Sequence, residues 1–174
     1  AAVRECAAKG VHSLVIVSAG FAEVGGDQAQ AERDLVEVAR RNGMRIVGTN
    51  CMGVINTDPE VALNGTFASI APDPGTVGFL SQSGAVGLAV MGETRRRGIG
   101  LSSFVSVGNK ADISGNDLLS YWAEDPRTNV VMLYLESFGN PRRFTTIARR
   151  VTRKKPIVAV KAGRLIDGLG GSPI

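Results

Sequence analysis

The chain has 174 residues, of which 44% are hydrophobic, 21% charged and 5% aromatic. That is too apolar for disorder, and no uncharged apolar run reaches the roughly 18 residues of a membrane-spanning helix, so neither a disordered tail nor a membrane partner is expected. The formal net charge of +4 is uneven: residues 1–72 carry 6 basic against 8 acidic side chains, and residues 73–174 carry 14 against 8. The basic clusters Arg95–Arg97 and Arg142, Arg143, Arg149, Arg150, Arg153, Lys154 and Lys155 suit a solvated helix face or an anionic ligand. No aromatics interleave with these charges, so a phosphorylated small molecule is favoured and no nucleic acid is expected. Two thiols, Cys6 and Cys51, and the single imidazole of His12 cannot build a metal cluster, and no metal site is expected. No secretory pattern opens the chain, which reads as a cytoplasmic protein excerpted from something longer.

In chain order the periodicity predicts a helix over residues 1–9, a strand at Ser13–Ser18 (SLVIVS), a helix over 27–42 stopped by Gly43, and a strand at Arg45–Gly48. Residues 57–75 hold three of the seven prolines and lose all periodicity, so a linker and a division near residue 72 are expected. Beyond it come a strand at Thr76–Leu80, a helix over 83–97 stopped by Gly98, and a strand at Ser103–Val107. A helix over 116–124, a strand at Val130–Leu135, a helix over 141–152 capped by Asn140 and a strand at Ile157–Lys161 complete the pattern. Short apolar strands alternating with helices make an α/β fold. Residues 1–72 read as the tail of a larger nucleotide-binding-type domain, and residues 73–174 as most of a doubly wound parallel sheet.

The most informative stretch is GTVGFLSQSGAVG (residues 75–87), where a buried strand runs through Ser81, Gln82, Ser83 and Gly84 into a helix. Unpaired N–H groups, hydroxyls and the positive end of the helix dipole make such a turn an anion site that needs no lysine. The same serines also serve a purely capping role, worth about 1 kcal/mol. Walker A (GxxxxGKS/T), the serine-hydrolase elbow GxSxG and the dinucleotide fingerprint GxGxxG are all absent. A second constellation follows the next two strands. Asn109, Lys110, Asp112, Ser114 and Asn116 crowd one Gly-bounded loop, and Glu136 ends an apolar strand, either partnered by an imidazole or backbone N–H or simply exposed.

The ordered runs GTNCMGVINT, GTVGFLSQSGAVG, FVSVGNKADISGNDLLSYWAEDPRT, VVMLYLES, PRRF and KKPIVAVKAGR resemble the NDP-forming acyl-CoA synthetases, relatives of the succinyl-CoA synthetase α subunit. The resemblance implies the C-terminal half of a Rossmann-like CoA-binding domain (1–72) followed by a truncated flavodoxin-like parallel-sheet domain (73–174). It also implies a reversible reaction in which acyl-CoA, phosphate and ADP exchange with a free acid, CoA and ATP through an acyl phosphate and a phosphohistidine. Ser81, Gln82, Ser83 and Gly84 then match the phosphate-binding helix start, and Glu136 the carboxylate that orients the active histidine. Asn109 matches a residue beside the acyl-phosphate site, and Ser18, Ala19, Gly20, Phe21, Asn50 and Cys51 match the CoA side. Coenzyme A and phosphate are the implied ligands, with ADP or ATP and magnesium on a domain not in this chain. The implied partners are an ATP-grasp domain or β subunit, acyl-CoA, and further copies associating through residues 1–72. The family's histidine falls shortly after KAGR, where this chain runs RLIDGLGGSPI, so these residues alone are expected to be inactive. The competing reading is a noncatalytic acyl-CoA-sensing module of a protein N-acetyltransferase.

Overall fold

The computed structural model describes residues 1–163. Its elements are α1 (Ala2–Ala8), β1 (Ser13–Ile16), α2 (Gly26–Arg41), β2 (Arg45–Gly48), β3 (Gly53–Asn56), β4 (Leu63–Thr66) and β5 (Pro74–Ser81). They continue with α3 (Gly84–Arg96), β6 (Leu101–Ser106), α4 (Gly115–Glu124), β7 (Val130–Leu135), α5 (Pro141–Val151) and β8 (Ile157–Lys161). The segment RLIDGLGGSPI, from position 164 onward, lies outside the described residues.

Helix borders follow local chemistry. Asp27 stands in the first turn of α2 and Arg40 and Arg41 in its last, each sign at the helix end it stabilises. Ser114 and Asp117 cap α4 reciprocally, the carboxylate accepting from the Ser114 N–H at 2.9 Å. Asn140 accepts from the Arg143 N–H at 3.0 Å to start α5, with Pro141 in the first turn. The first strand stops at Ile16, short of the expected Ser18, because the Ser18 carbonyl turns to accept from the Asn50 N–H at 2.9 Å.

β1 and β2 pair in parallel beneath α1 and α2, around Val36, Ala39, Met44 and Ile46. The other six strands form one sheet in the order β4-β3-β6-β5-β7-β8. β6, β5, β7 and β8 are parallel, as expected, but β3 runs antiparallel to both β6 and β4. Residues 57–75 are therefore more than a linker, since they contain β4. That strand (LNGT) is almost wholly exposed and contains Gly65, so side-chain alternation cannot reveal it and only backbone pairing with β3 defines it. The two sheets divide between Gly48 and Gly53.

Adjacent residues of β5 serve opposite faces of the large sheet. Phe79 joins Met91, Leu101 and Phe104 beneath α3, while Leu80 joins Leu119, Trp122, Val131 and Leu133 beneath α4 and α5. Trp122 is fully buried, and its indole N–H donates to the Ser103 hydroxyl at 2.8 Å, as a buried indole requires. Because α3 covers one face and α4 and α5 the other, the connections diverge at the carboxyl end of β5, the usual place for a ligand in such a sheet.

Candidate functional site at the strand ends

At the β5 end the four expected anion-binding residues separate into two roles. Ser81 is fully buried and its hydroxyl donates to the Ser83 carbonyl at 2.6 Å, so it stabilises the turn from within. The Ser83 hydroxyl accepts from the Val86 N–H at 3.3 Å and caps α3. The next amides, those of Gly84 and Ala85, have no acceptor among the described residues and stand at the end of α3 whose dipole favours an anion. The capping and anion-binding readings of SQSG therefore coexist in different atoms. Replacing Ser83 by alanine is expected to lower stability by about 1 kcal/mol, whereas Ser83→Gly should cost only a few tenths, a contrast that thermal melts of the two variants check.

Gln82 is buried and looks away from the anion site. Its side-chain oxygen accepts from the backbone N–H of Glu136 and from that of Ser137 (2.8 Å), and its Nε2 donates to the Ser137 carbonyl at 2.9 Å. The Gln82 side-chain oxygen and one of its two amide protons are thus engaged by the turn after β7. Glu136 sits where the sequence places it, exposed at the end of β7, one strand away from the α3 terminus. Lys110, at the end of β6, donates to the carbonyl (3.1 Å) and the hydroxyl of Ser137. Burial pushes the Lys110 ammonium below its ordinary pKa, while the nearby Glu136 carboxylate pulls it back up.

Asn109 joins the two sheets. Its Nδ2 donates to Glu23 (2.5 Å) and Glu32 (2.9 Å) and lies 3.0 Å from the Thr49 hydroxyl, while Asn50 donates to its side-chain oxygen at 3.4 Å. An amide has only two such protons, and protein carboxylates take both. The geometry makes Asn109 a bridge between the units and leaves no donor for the reacting group that it was expected to face. Glu32 is buried without a cation, satisfied by Asn109, by the Thr49 hydroxyl and by the Ala22 N–H at 3.5 Å.

The loop of Ser18, Ala19, Gly20 and Phe21 follows β1 and is largely exposed. Its amides already hold an anion: the Glu23 carboxylate accepts from Gly20 at 2.5 Å and from Phe21 at 3.2 Å. The Asn109 amide above all, joined by the Gly20 and Phe21 N–H groups, lowers the Glu23 pKa to about 2 in spite of desolvation. A depressed carboxyl supports the folded state above its unfolded pKa and withdraws that support as pH falls through the folded value. The Gly20 amide resonance is accordingly expected to titrate only near pH 2, well below an ordinary glutamate, in an NMR pH series.

Asn50 is exposed beside Asn109, but Cys51 is buried at 4% exposure, its thiol 3.3 Å from the Ile16 carbonyl and its pKa raised by burial. It packs as a small apolar residue and is not an activated thiol. His12 is exposed before β1, at the opposite end of that strand from the ligand loops. No group of three His, Cys, Asp or Glu side chains among the described residues is arranged to hold a metal ion. No helix among them is long and apolar enough to cross a membrane. Glu23, Glu32, Thr49 and Asp112 contribute to the joint between the units and were not singled out for that role by sequence reasoning, since each finds its partner 17 or more residues away.

Two α/β layers whose strand ends converge on an open helix terminus define a doubly wound ligand-binding module. The chain belongs to the succinyl-CoA ligase-like flavodoxin domain family, whose family model matches residues 74–169, more than half of its length. A CoA-binding domain model matches residues 1–57, so the fold is a Rossmann-like CoA-binding portion followed by a flavodoxin-like one. The ADP-forming acetate–CoA ligase I of Archaeoglobus fulgidus is 48% identical over 96% of this chain, which covers 24% of that protein. The α subunit of the ADP-forming acetate–CoA ligase II of Pyrococcus furiosus is 44% identical over 94% of the chain, which covers 35% of it. Among solved structures, the dinucleotide-forming acetyl-coenzyme A synthetase 1 of Ca. Korarchaeum cryptofilum, in complex with phosphate and ADP, matches with a TM-score of 0.87. It is 44% identical, with 92% of this chain and 34% of that chain covered. The chain thus spans about a quarter to a third of these relatives, two of them ligases and one a synthetase by name, which favours the ligase reading over the sensing module.

Proposed function

We propose that this chain is the CoA-binding and phosphate-binding portion of an ADP-forming acyl-CoA ligase that interconverts acyl-CoA, phosphate and ADP with a free acid, CoA and ATP. The observation that carries this reading is the open N-terminus of α3, at Gly84 and Ala85, set one strand from Glu136 over the end of β5. The two amides, backed by the Ser83 cap, hold phosphate. Glu136 receives the imidazole of a phosphorylated histidine, fixing its tautomer and favouring its protonated form as phosphate leaves. The loops at Ser18–Phe21 and Asn50, at the ends of β1 and β2, line the CoA side. Cys51 backs that side from the interior and has no covalent role. ADP or ATP with magnesium belongs to an ATP-grasp domain or β subunit that completes the enzyme. Val15 and Val17, 43% and 48% exposed beside β2, support association through the first unit; a strictly monomeric sedimentation profile would count against it.

The test is intact-mass analysis of the full-length protein after incubation with ATP and magnesium. An acid-labile phosphate adduct on a histidine, discharged by ADP, is the expected result. Acyl-CoA binding with no such adduct would overturn the ligase reading.

A further inference from the structure

Lys110 occupies a backbone conformation that disfavours it. Its φ of 58° lies in the left-handed region, where glycine is at ease and lysine is strained. Gly108, two residues earlier, also has positive φ (49°), and the chain places a lysine at the end of the same turn. Strain of this kind persists where the side chain has work that a glycine cannot do. Here the side chain leaves the end of β6, which borders β5 on one side, and reaches Ser137 at the end of β7, which borders β5 on the other. From β5 itself, Gln82 makes three hydrogen bonds to the same turn. The ends of β5, β6 and β7 are thereby tied to one dipeptide, Glu136–Ser137.

We infer that Lys110 and Gln82 are positioning residues that clamp the Glu136–Ser137 turn and fix the Glu136 carboxylate relative to the α3 terminus. The inference rests on the proposed ligase reading. The clamp holds backbone atoms, so the carboxylate of Glu136 stays free for an incoming imidazole while the peptide beneath it is immobile. Misplacement of a reacting group by about 1 Å is enough to slow a reaction on the order of 100-fold.

Lys110→Gly tests the clamp cleanly, because it relieves the backbone strain while deleting the ammonium. In the full-length protein the variant should melt at the same temperature as the wild type or higher. Its rate of phosphate-adduct formation from ATP should fall roughly 10- to 100-fold with little change in the KM for ATP. Lys110→Arg should restore most of the rate, and Ser137→Ala, at an exposed position, should lose part of it without loss of stability. Wild-type rates in Lys110→Gly overturn the positioning role and leave the ligase reading standing. A Lys110→Gly rate that falls together with its melting temperature marks a structural role and overturns the inference as well. Absence of any adduct in the wild type, by contrast, removes the ligase reading and the positioning role together.

Discussion

Asp112→Ala is expected to destabilise the protein by about 2–4 kcal/mol, read as a lower urea midpoint at unchanged slope. The Asp112 side chain is fully buried and accepts from Arg40 at 2.6 and 2.9 Å, from Arg45 at 2.7 Å and from the Ile46 N–H at 2.9 Å. The two guanidinium groups remain 59% and 48% exposed, so the ionic part of the network is screened and water takes them back once the carboxylate is gone. The larger loss is the stranded Ile46 amide, together with the buried carboxylate that ties the loop after β6 to both α2 and β2. Removing both arginines is the harsher change, since it leaves an uncompensated carboxylate inside. Burial alone would raise the Asp112 pKa, but Arg45, the Ile46 N–H and Arg40 outweigh it and hold it below the ordinary value. The network therefore stabilises fully above the unfolded carboxyl pKa of about 3.9 and fails as pH drops below that. Wild type should lose more stability than Asp112→Ala between neutral pH and strong acid, and the two urea midpoints should converge.

Gly108→Ala is expected to cost roughly 2–5 kcal/mol, from a left-handed φ and an overpacked joint together. A Cβ at Gly108 would stand 2.1 Å from the Asn50 carbonyl oxygen and 2.2 Å from that of Thr49, and backbone cannot yield as a side chain would. Gly98 supplies the control. Its φ is 66°, but nothing lies within 4 Å of its Cβ position, so Gly98→Ala carries the conformational cost alone, about 1 kcal/mol. Relief at Gly108 requires the loop to lift from β2, breaking the Asn109 N–H to Thr49 bond (3.0 Å) and the Asn109 bridge. Hydrogen exchange should report this as lost protection at Asn109 and Ala111, while amides of the β5–β7 ladder remain protected.

The sequence is most legible where local chemistry and burial agree. The apolar runs of β5, β6 and β7 and the caps of α2, α3, α4 and α5 stand close to their expected positions, because each is encoded within a few residues. β3 and β4 escape this logic: each is only four residues long, β3 is a strand by virtue of its pairing with β6, about 50 residues away, and the exposed β4 by virtue of β3. The site divides in the same manner. The strand-to-helix turn at Ser83–Gly84 and the strand-end Glu136 are visible as patterns, but the occupation of the Gln82 and Asn109 amides is decided by partners 54 to 86 residues distant. Residue type announces a hydrogen-bonding group, and only the fold says which groups are already taken.

Sequence order and spatial grouping do not coincide in this chain, and the hairpin of β3 and β4 is where they part. The first 66 residues donate two strands to the sheet of the second half, stitched to it through the β3–β6 ladder. A backbone cut within residues 67–73 would therefore leave two polypeptides that still share one sheet and the buried carboxylates Glu32 and Asp112. The covalent connection is dispensable to the shape in the way a seam, once sewn, no longer needs the needle's thread.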